Sequence, residues 1–332
     1  MSPLRIAVVG AGAIGGLMAA RLSRAGHAVS VVARGDHLDA IRGAGGLWVT
    51  DRWRGADRWH GQVRAEARPE DLPAQDIVIL GLKGPAIPAM LPRLGDLLAD
   101  GTIVVPAING VPWWYFHREG SRHDGARIEC LDRDSSLFSA LDPDRLVGCV
   151  VHTAAEVIAP GEIVHTASQM LIVGEPSGED SDRVRRLARA LDSAGFDARV
   201  STRIREDIWT KLVGNLAFNP VAALTGCVLD EIATDEALLT VVRPLIAESL
   251  AVASALGVPL SVGVERRIEM AREIGPARLS TLQDFEAGRR PELEGLLDAV
   301  IELAQRAGVD VPTIRQVAAL ARARARTLGL LG

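Results

Sequence analysis

Short apolar runs alternate with amphipathic stretches through the N-terminal half of the chain. Residues 4–9 and 28–33 are rich in branched apolar side chains, and near-continuous apolar runs follow at residues 76–82 and 102–108. Residues 16–25 separate the first two runs and carry the apolar spacing of a helix. Strands that are apolar along their whole length and alternate with helices predict a parallel sheet covered on both faces.

The pattern becomes β-rich and interrupted by turns in the middle of the chain. Three short apolar runs lie within residues 145–174, and a Pro160-Gly161 turn separates the first two. This arrangement predicts an antiparallel extension of the sheet. An amphipathic helix is predicted over residues 181–194, closed by Gly195.

Helical patterns dominate after about residue 200. A long helix is predicted over residues 205–224, with a kink or an end at Pro220, because proline removes a helical hydrogen bond. Amphipathic helices are also predicted over residues 292–307 and 314–327.

This change of pattern predicts two domains. We expect a Rossmann-type, doubly wound α/β domain in residues 1–199 and an all-helical domain in residues 200–332. The length of 332 residues agrees with this division, since a typical domain has about 150 residues.

Composition excludes several classes of protein. With 48% hydrophobic and 24% charged residues the chain is not disordered, and a net charge of −5 with mixed signs disfavours nucleic-acid binding. The uncharged stretch at residues 6–20 is too rich in glycine for a membrane span. Cys130, Cys149 and Cys227 lie far apart, without disulfide or metal-ligand spacing. We therefore expect a cytoplasmic protein without a metal, whose apolar C-terminal helices are compatible with a homodimer.

The first apolar run leads into a motif of the form G-x-G-x-x-G. Its residues are Gly10, Ala11, Gly12, Ala13, Ile14 and Gly15. Gly10 permits a tight turn, Gly12 lets the backbone approach a pyrophosphate, and Gly15 lets the helix pack on the strand. Because a strand precedes the motif and a helix follows it, a dinucleotide site is favoured over a glycine-rich turn without a ligand.

Arg34 at the end of the second run indicates which dinucleotide binds. NAD-binding versions of this unit place an acid there for the ribose 2′-hydroxyl, whereas an arginine accommodates a 2′-phosphate. Asp36 comes two residues later than that acid. The sequence therefore favours NADP(H), with a surface role for Arg34 and a ribose contact for Asp36 as the alternative.

Lysine and asparagine are scarce, so their positions are informative. The chain has two lysines, Lys83 and Lys211, and three asparagines, Asn109, Asn215 and Asn219. Lys83 and Asn109 follow apolar strands, where α/β sheets bind ligands, although each also fits a simple loop or turn. Lys211, Asn215 and Asn219 recur at i, i+4 and i+8 on the long helix. We favour a polar cleft lined by this row over a solvated helix face.

Two further segments stand out in the sequence. Residues 111–116 include four consecutive aromatic side chains, which suit a core plug better than a lid over the nicotinamide. Ser280 opens a polar segment, and Pro291 is predicted in the first turn of a helix with Glu292 near its positive end.

Together these motifs resemble the ketopantoate reductase (2-dehydropantoate 2-reductase) family over nearly the whole chain. The matching positions are Gly10, Gly12 and Gly15, Lys83, Asn109-Gly110, Lys211 with Asn215 and Asn219-Pro220, Ser280 to Asp284, and Glu292.

The resemblance implies NADPH-dependent reduction of a 2-oxo acid, giving pantoate for coenzyme A synthesis. Lys211 would be the general acid, Glu292 would hold the substrate hydroxyl and orient the lysine, and Asn109 would bridge cofactor and substrate. Ser280, Asn215 and Asn219 would bind the carboxylate and hydroxyl ends of the substrate.

Three other functions stay open from the sequence. Residues 225–229 lack an asparagine that some family members carry, so a reductase of another 2-oxo acid is one alternative. A β-hydroxyacid dehydrogenase also has a glycine motif and a Lys-x3-Asn helix. A non-catalytic NADP sensor is the third, although it would not need the row of Lys211, Asn215 and Asn219.

Overall fold

Strands are confined to the chain before Ile204 and helices dominate after it. The computed structural model describes residues 2–331. Over these residues the strands are β1 (Arg5–Val9), β2 (Ala28–Val32), β3 (Gly46–Asp51), β4 (Asp57–Gln62), β5 (Arg64–Glu66), β6 (Gln75–Leu80), β7 (Leu98–Pro106), β8 (Gly148–Val151), β9 (Ala154–Ala159), β10 (Glu162–Ala167), β11 (Met170–Gly174) and β12 (Asp197–Val200). The α-helices are α1 (Ala13–Arg24), α2 (Gly35–Ala44), α3 (Ile87–Met90), α4 (Ser136–Ala140), α5 (Asp182–Ser193), α6 (Ile204–Thr225), α7 (Leu229–Thr234), α8 (Glu236–Ala255), α9 (Val264–Ile274), α10 (Ser280–Glu286), α11 (Ala299–Ala307) and α12 (Pro312–Thr327).

Packing divides the chain into two units, neither of which is one continuous segment. The first unit comprises the chain up to Ile108, Phe116–Ala126 and Ser135–Ile204. The second unit comprises Asn109–Tyr115, Arg127–Asp134 and the chain from Arg205 onwards. Two short segments from the first half of the sequence therefore pack with the C-terminal helices.

A five-stranded parallel sheet forms the centre of the first unit. Its strand order is β5-β2-β1-β6-β7. Val9 pairs with both Val32 and Leu80, and Leu80 pairs with Pro106, so four strands end at one edge of the sheet. This sheet and the helical C-terminal region confirm the predicted fold class. The glycine motif, Arg34 and Lys83 follow β1, β2 and β6 at this edge.

The predicted antiparallel extension of this sheet forms only in part. Val147 N–H donates to the Val104 carbonyl at 3.0 Å, so a single bridge links β7 to the start of β8. The antiparallel strands form two separate sheets, with orders β4-β3-β10-β9 and β12-β11-β8. The Pro160-Gly161 turn joins β9 to β10. Strand β9 was not predicted, because its sequence shows no alternation of apolar and polar residues, although four of its six residues are exposed. The β4-β3-β10-β9 sheet packs against α1 through all four of its strands. Helix α1 is consequently buried along much of its length.

A buried ionic network links α1 to the β4-β3-β10-β9 sheet. An Arg21 guanidinium nitrogen lies 3.1 Å from a carboxylate oxygen of Asp51, and the other Asp51 oxygen lies 2.9 Å from Nδ1 of His165. Desolvation opposes ionisation of Asp51. The hydrogen bond and charge of His165 and the charge of Arg21 outweigh it, so the pKa of Asp51 falls below its ordinary value. The carboxylate is thus held ionised beside a buried cation.

Replacing Asp51 by asparagine should lower the free energy of unfolding at pH 7 by about 3 kcal/mol, because Arg21 is left without its counter-charge. A carboxyl whose folded pKa is depressed stabilises the fold above its unfolded pKa of about 3.9. That contribution is lost as the pH falls through the lower folded pKa. Urea unfolding between pH 7 and pH 3 measures this effect. The free energies of unfolding of wild type and variant should become equal as the pH falls.

The control for this change is Asp57→Asn, since Asp57 pairs with Asp51 across β3 and β4 but is exposed. Its stability should match that of the wild type. Equal stability of Asp51→Asn and wild type at pH 7 would show that the network contributes nothing.

Helix α6 runs through the predicted proline break. The segment predicted at residues 205–224 forms one helix from Ile204 to Thr225, with Pro220 inside it. The prediction that the helix could end at Pro220 is wrong. Residues around Pro220 are buried, so tertiary packing holds the last turn in spite of the lost hydrogen bond.

Helix α8 is apolar enough by composition to cross a membrane, but it forms part of the core of the second unit. Its inward side buries Leu239, Val242, Leu245 and Ile246. Glu248 accepts hydrogen bonds from the backbone N–H groups of Thr313 and Ile314, both at 2.9 Å, and so caps α12. These contacts are those of a core helix.

Candidate active site

Close backbone contacts hold the glycine turn of the first unit in shape. Gly10 follows β1 directly with a φ of +100°, a conformation that favours glycine. A Cβ added at Gly15 would overlap the carbonyl oxygen of Gly10, and one added at Gly81 would lie 2.6 Å from the same oxygen. Gly81, at the end of β6, is a part of this turn that the motif did not reveal.

Gly12 faces open space within the same turn. A Cβ added there would meet no atom within 4 Å. Gly12 is the N-cap of α1, and the first turn of this helix, which includes Ala13 and Ile14, has neither a side-chain cap nor an acid. Such a helix start offers N–H donors and a positive partial charge to an anion. The shape and the donors therefore fit the pyrophosphate of a dinucleotide.

His37 supports the turn and was missed by sequence analysis. Gly161 N–H donates to its Nδ1 at 3.0 Å, so Nε2 carries the hydrogen and donates to the Ala11 carbonyl at 2.7 Å. The histidine thereby fixes Ala11 from the side of α2. Its one sequence signal was its place one turn after Arg34.

The charged candidates of the first unit lie just beyond the strand ends. Arg34 is the exposed N-cap of α2 and forms no ion pair with any residue from 2 to 331. Lys83 is partly buried and precedes a short 3₁₀ turn after β6.

In the second unit, Lys211 is hydrogen-bonded to Asn109. The ammonium Nζ donates to Oδ1 of Asn109 at 2.5 Å, and both side chains are partly buried. The two residues are 102 positions apart in the chain. The amide fixes the direction of the ammonium, and partial burial keeps both groups accessible.

A π-helical turn fixes the position of Asn109. Gly110 has a φ of +85°, and a Cβ added there would lie 2.5 Å from the backbone of Gly295. Val111 N–H donates to the Gly295 carbonyl at 2.8 Å. Only glycine fits at position 110, so Asn-Gly here serves a close backbone contact as well as a turn.

That π-helical turn corrects the helix predicted over residues 292–307. Glu294–Asp298 is π-helical and the regular helix begins at Ala299, while Pro291 lies before the first helical residue. The wider turn leaves the Gly295 carbonyl to accept from Val111. Glu292, which is partly buried, lies two residues before this turn and three residues from Gly295. Turns of this kind are frequent at functional sites.

The aromatic segment anchors the residues that follow Asn109. Trp113, Trp114 and Tyr115 are buried, as the core interpretation predicted. Trp209 Nε1 donates to the Tyr115 hydroxyl and Arg205 Nε donates to the Tyr115 carbonyl, both at 2.8 Å. Helix α6 therefore holds this segment at both ends, through Asn109 and Tyr115.

The other predicted polar residues have different surroundings. Asn215 lies one turn beyond Lys211 and is partly buried, whereas Asn219 is 4% exposed and its Oδ1 has no hydrogen-bond partner in residues 2–331. An unpartnered buried carbonyl calls for a ligand or water. Ser280 is the exposed first residue of α10, and its side chain makes no hydrogen bond to the other candidates in the described chain.

Comparison with protein families covers both parts of the chain. The family described as "Ketopantoate reductase PanE/ApbA" matches residues 6–178, and its C-terminal family matches residues 203–325. A curated relative from Mesorhizobium japonicum named 2-dehydropantoate 2-reductase is 43% identical over 320 residues, which cover 96% of this chain and 97% of the relative.

Solved structures agree with this assignment. A Ralstonia solanacearum protein provisionally named a ketopantoate reductase is 37% identical, with a TM-score of 0.93 over 99% of this chain and 100% of that protein. A D-mandelate dehydrogenase in complex with NADH has a TM-score of 0.83 over 98% of this chain and 99% of its own, but it is 19% identical and shows the fold alone. The protein is thus an oxidoreductase that uses a pyridine nucleotide, and it belongs to the ketopantoate reductase family.

Proposed function

We propose that the protein reduces 2-dehydropantoate (ketopantoate), or a closely related 2-oxo acid, to the 2-hydroxy acid with NADPH. The observation that carries this proposal is the hydrogen bond from Lys211 Nζ to Asn109 Oδ1 at 2.5 Å. It presents one oriented ammonium in a chain with only two lysines. The curated relative from Mesorhizobium japonicum is named for the same reaction.

The nucleotide would be held by residues of the first unit. The N–H groups at the start of α1 bind the pyrophosphate, and the open space at Gly12 admits it. Arg34, exposed and without an ion pair in residues 2–331, pairs with the 2′-phosphate of NADPH. Lys83, at the same sheet edge, is a further cofactor contact.

Lys211 acts as the general acid of the reduction. Bound NADPH would supply a hydride to the carbonyl carbon, and negative charge would then develop on the carbonyl oxygen. The Lys211 ammonium donates a hydrogen bond to that oxygen and then transfers its proton, which yields the hydroxyl. Asn109 keeps the ammonium in position.

The remaining polar residues of the second unit bind the substrate in this proposal. Asn215, Asn219 and Ser280 hold its carboxylate and hydroxyl ends, and the unpartnered Oδ1 of Asn219 is available to a substrate hydroxyl. Glu292 accepts from the substrate hydroxyl and helps to orient Lys211. Glu292 lies two residues before the π-helical turn that positions Asn109. One short segment therefore positions both Glu292 and Asn109.

A panel of 2-oxo acids and 3-hydroxyacids, assayed by nicotinamide absorbance with NADPH and with NADH, tests the proposal. We expect ketopantoate to give the highest kcat/KM and NADPH to be preferred over NADH. The Arg34→Ala variant should lose that preference by raising KM for NADPH and leaving KM for NADH unchanged.

Three results would contradict parts of this proposal. Oxidation of 3-hydroxyacids without reduction of 2-oxo acids indicates a β-hydroxyacid dehydrogenase. Nucleotide binding without turnover of any substrate indicates a sensor. A preference for NADH that Arg34→Ala leaves unchanged overturns the assignment of the 2′-phosphate contact.

The proposals on localisation and assembly rest on the sequence. Cys130, Cys149 and Cys227 are free thiols, which agrees with the cytoplasm that we propose. The homodimer stays a prediction from the apolar helices.

A further inference from the structure

Arg267 on α9 packs its guanidinium against α6 at Gly214. A Cβ added at Gly214 would overlap the guanidinium, so glycine at this position makes room for the arginine. The Arg267 side chain is partly buried, and desolvation lowers its pKa below the ordinary value. Both helices belong to the second unit.

Helix geometry places the contact between this guanidinium and α6 close to Lys211. Gly214 is three residues after Lys211 on α6 and directly precedes Asn215. Residues at i and i+3 are neighbours on a helix surface, roughly 5–6 Å apart. The guanidinium that touches Gly214 therefore contacts α6 within one turn of Lys211.

Arg267 has no counter-charge, unlike its neighbour on α9. The exposed Arg266 forms an ion pair with Glu273 at 2.7 Å. Arg267 forms no ion pair or side-chain hydrogen bond with any residue from 2 to 331, and no acid raises its pKa. A desolvated cation without a partner is unfavourable, so a site of this kind is satisfied by an anionic ligand.

We propose that Arg267 binds the carboxylate of the 2-oxo acid. This inference rests on the proposed function and adds a specificity-determining residue to it. A guanidinium presents two parallel N–H donors that match the two oxygens of a carboxylate. One turn of helix separates this clamp from Lys211, so the carboxylate and the adjacent carbonyl oxygen of a 2-oxo acid can meet two different cations. Glycine at position 214 keeps the clamp next to the lysine.

The test compares Arg267→Gln with Arg266→Gln, which makes the same change at the adjacent exposed position. KM for ketopantoate should rise roughly 30-fold in Arg267→Gln, equivalent to about 2 kcal/mol. KM should be unchanged in Arg266→Gln, and KM for NADPH should be unchanged in both variants. The dissociation constant of the product pantoate should rise by a similar factor in Arg267→Gln, whereas that of its uncharged lactone should not change.

Arg267→Lys supplies a second variant in case Arg267→Gln does not fold. It keeps the charge but loses the paired donors, so its KM for ketopantoate should lie above that of the wild type. If Arg267→Gln folds, the KM of Arg267→Lys should be the lower of the two. The inference is overturned if KM matches the wild type in the folded Arg267 variants. It is also overturned if the dissociation constants of pantoate and of its lactone rise equally in Arg267→Gln. A wild-type enzyme that reduces no 2-oxo acid would instead refute the proposed function, so the two failures can be told apart.

Discussion

Lys211→Ala should lower kcat for ketopantoate by about 10²–10⁴-fold, the usual contribution of a positioned general acid. The variant lacks the ammonium that meets the developing charge on the carbonyl oxygen, and Asn109 loses its hydrogen-bond donor. The dissociation constant of NADPH should stay within a factor of two, because the proposed nucleotide contacts lie in the first unit. Stopped-flow turnover and fluorescence titration with NADPH measure the two quantities.

Lys211→Arg provides the matched control for charge. Arginine keeps the positive charge but holds its proton too tightly to transfer it near neutral pH, so kcat should stay low. Full activity in Lys211→Arg would show that charge alone is needed. Near-normal kcat in Lys211→Ala would remove the lysine from the mechanism.

Gly12→Ala should weaken NADPH binding by roughly 10–100-fold, since a methyl group in the space reserved for the pyrophosphate costs about 1–3 kcal/mol. The melting temperature of the free protein should not fall. A Cβ at this position meets no atom within 4 Å, and the φ of −64° suits alanine. Titration with NADPH and thermal unfolding without it measure the two effects.

Two other glycines give the controls. Gly43→Ala, at an exposed helical position of α2 with open space around it, should leave NADPH binding unchanged and should not lower stability, since alanine favours a helix over glycine. Gly15→Ala should reduce both, because its Cβ would overlap the Gly10 carbonyl. Unchanged NADPH binding in Gly12→Ala would place the pyrophosphate elsewhere.

Local patterns predicted the elements that are continuous in sequence. The order of β1, the glycine motif, α1 and β2 follows from adjacent residues, and so do α5 and most of α6. The exposed strand β9 was missed because its apolar and polar residues do not alternate, and its partner sheet was therefore misplaced. The π-helical turn was missed because Gly295 acts through a contact with Gly110, far away in the chain.

The sequence by itself determined that Lys211, Asn215 and Asn219 share one face of a helix, because that follows from a repeat of 3.6 residues per turn. Tertiary structure alone decided which distant groups reach that face. Asn109 lies 102 residues before Lys211, and Arg267 reaches the helix at Gly214 from α9. Such contacts depend on how whole elements pack, and no local periodicity encodes them.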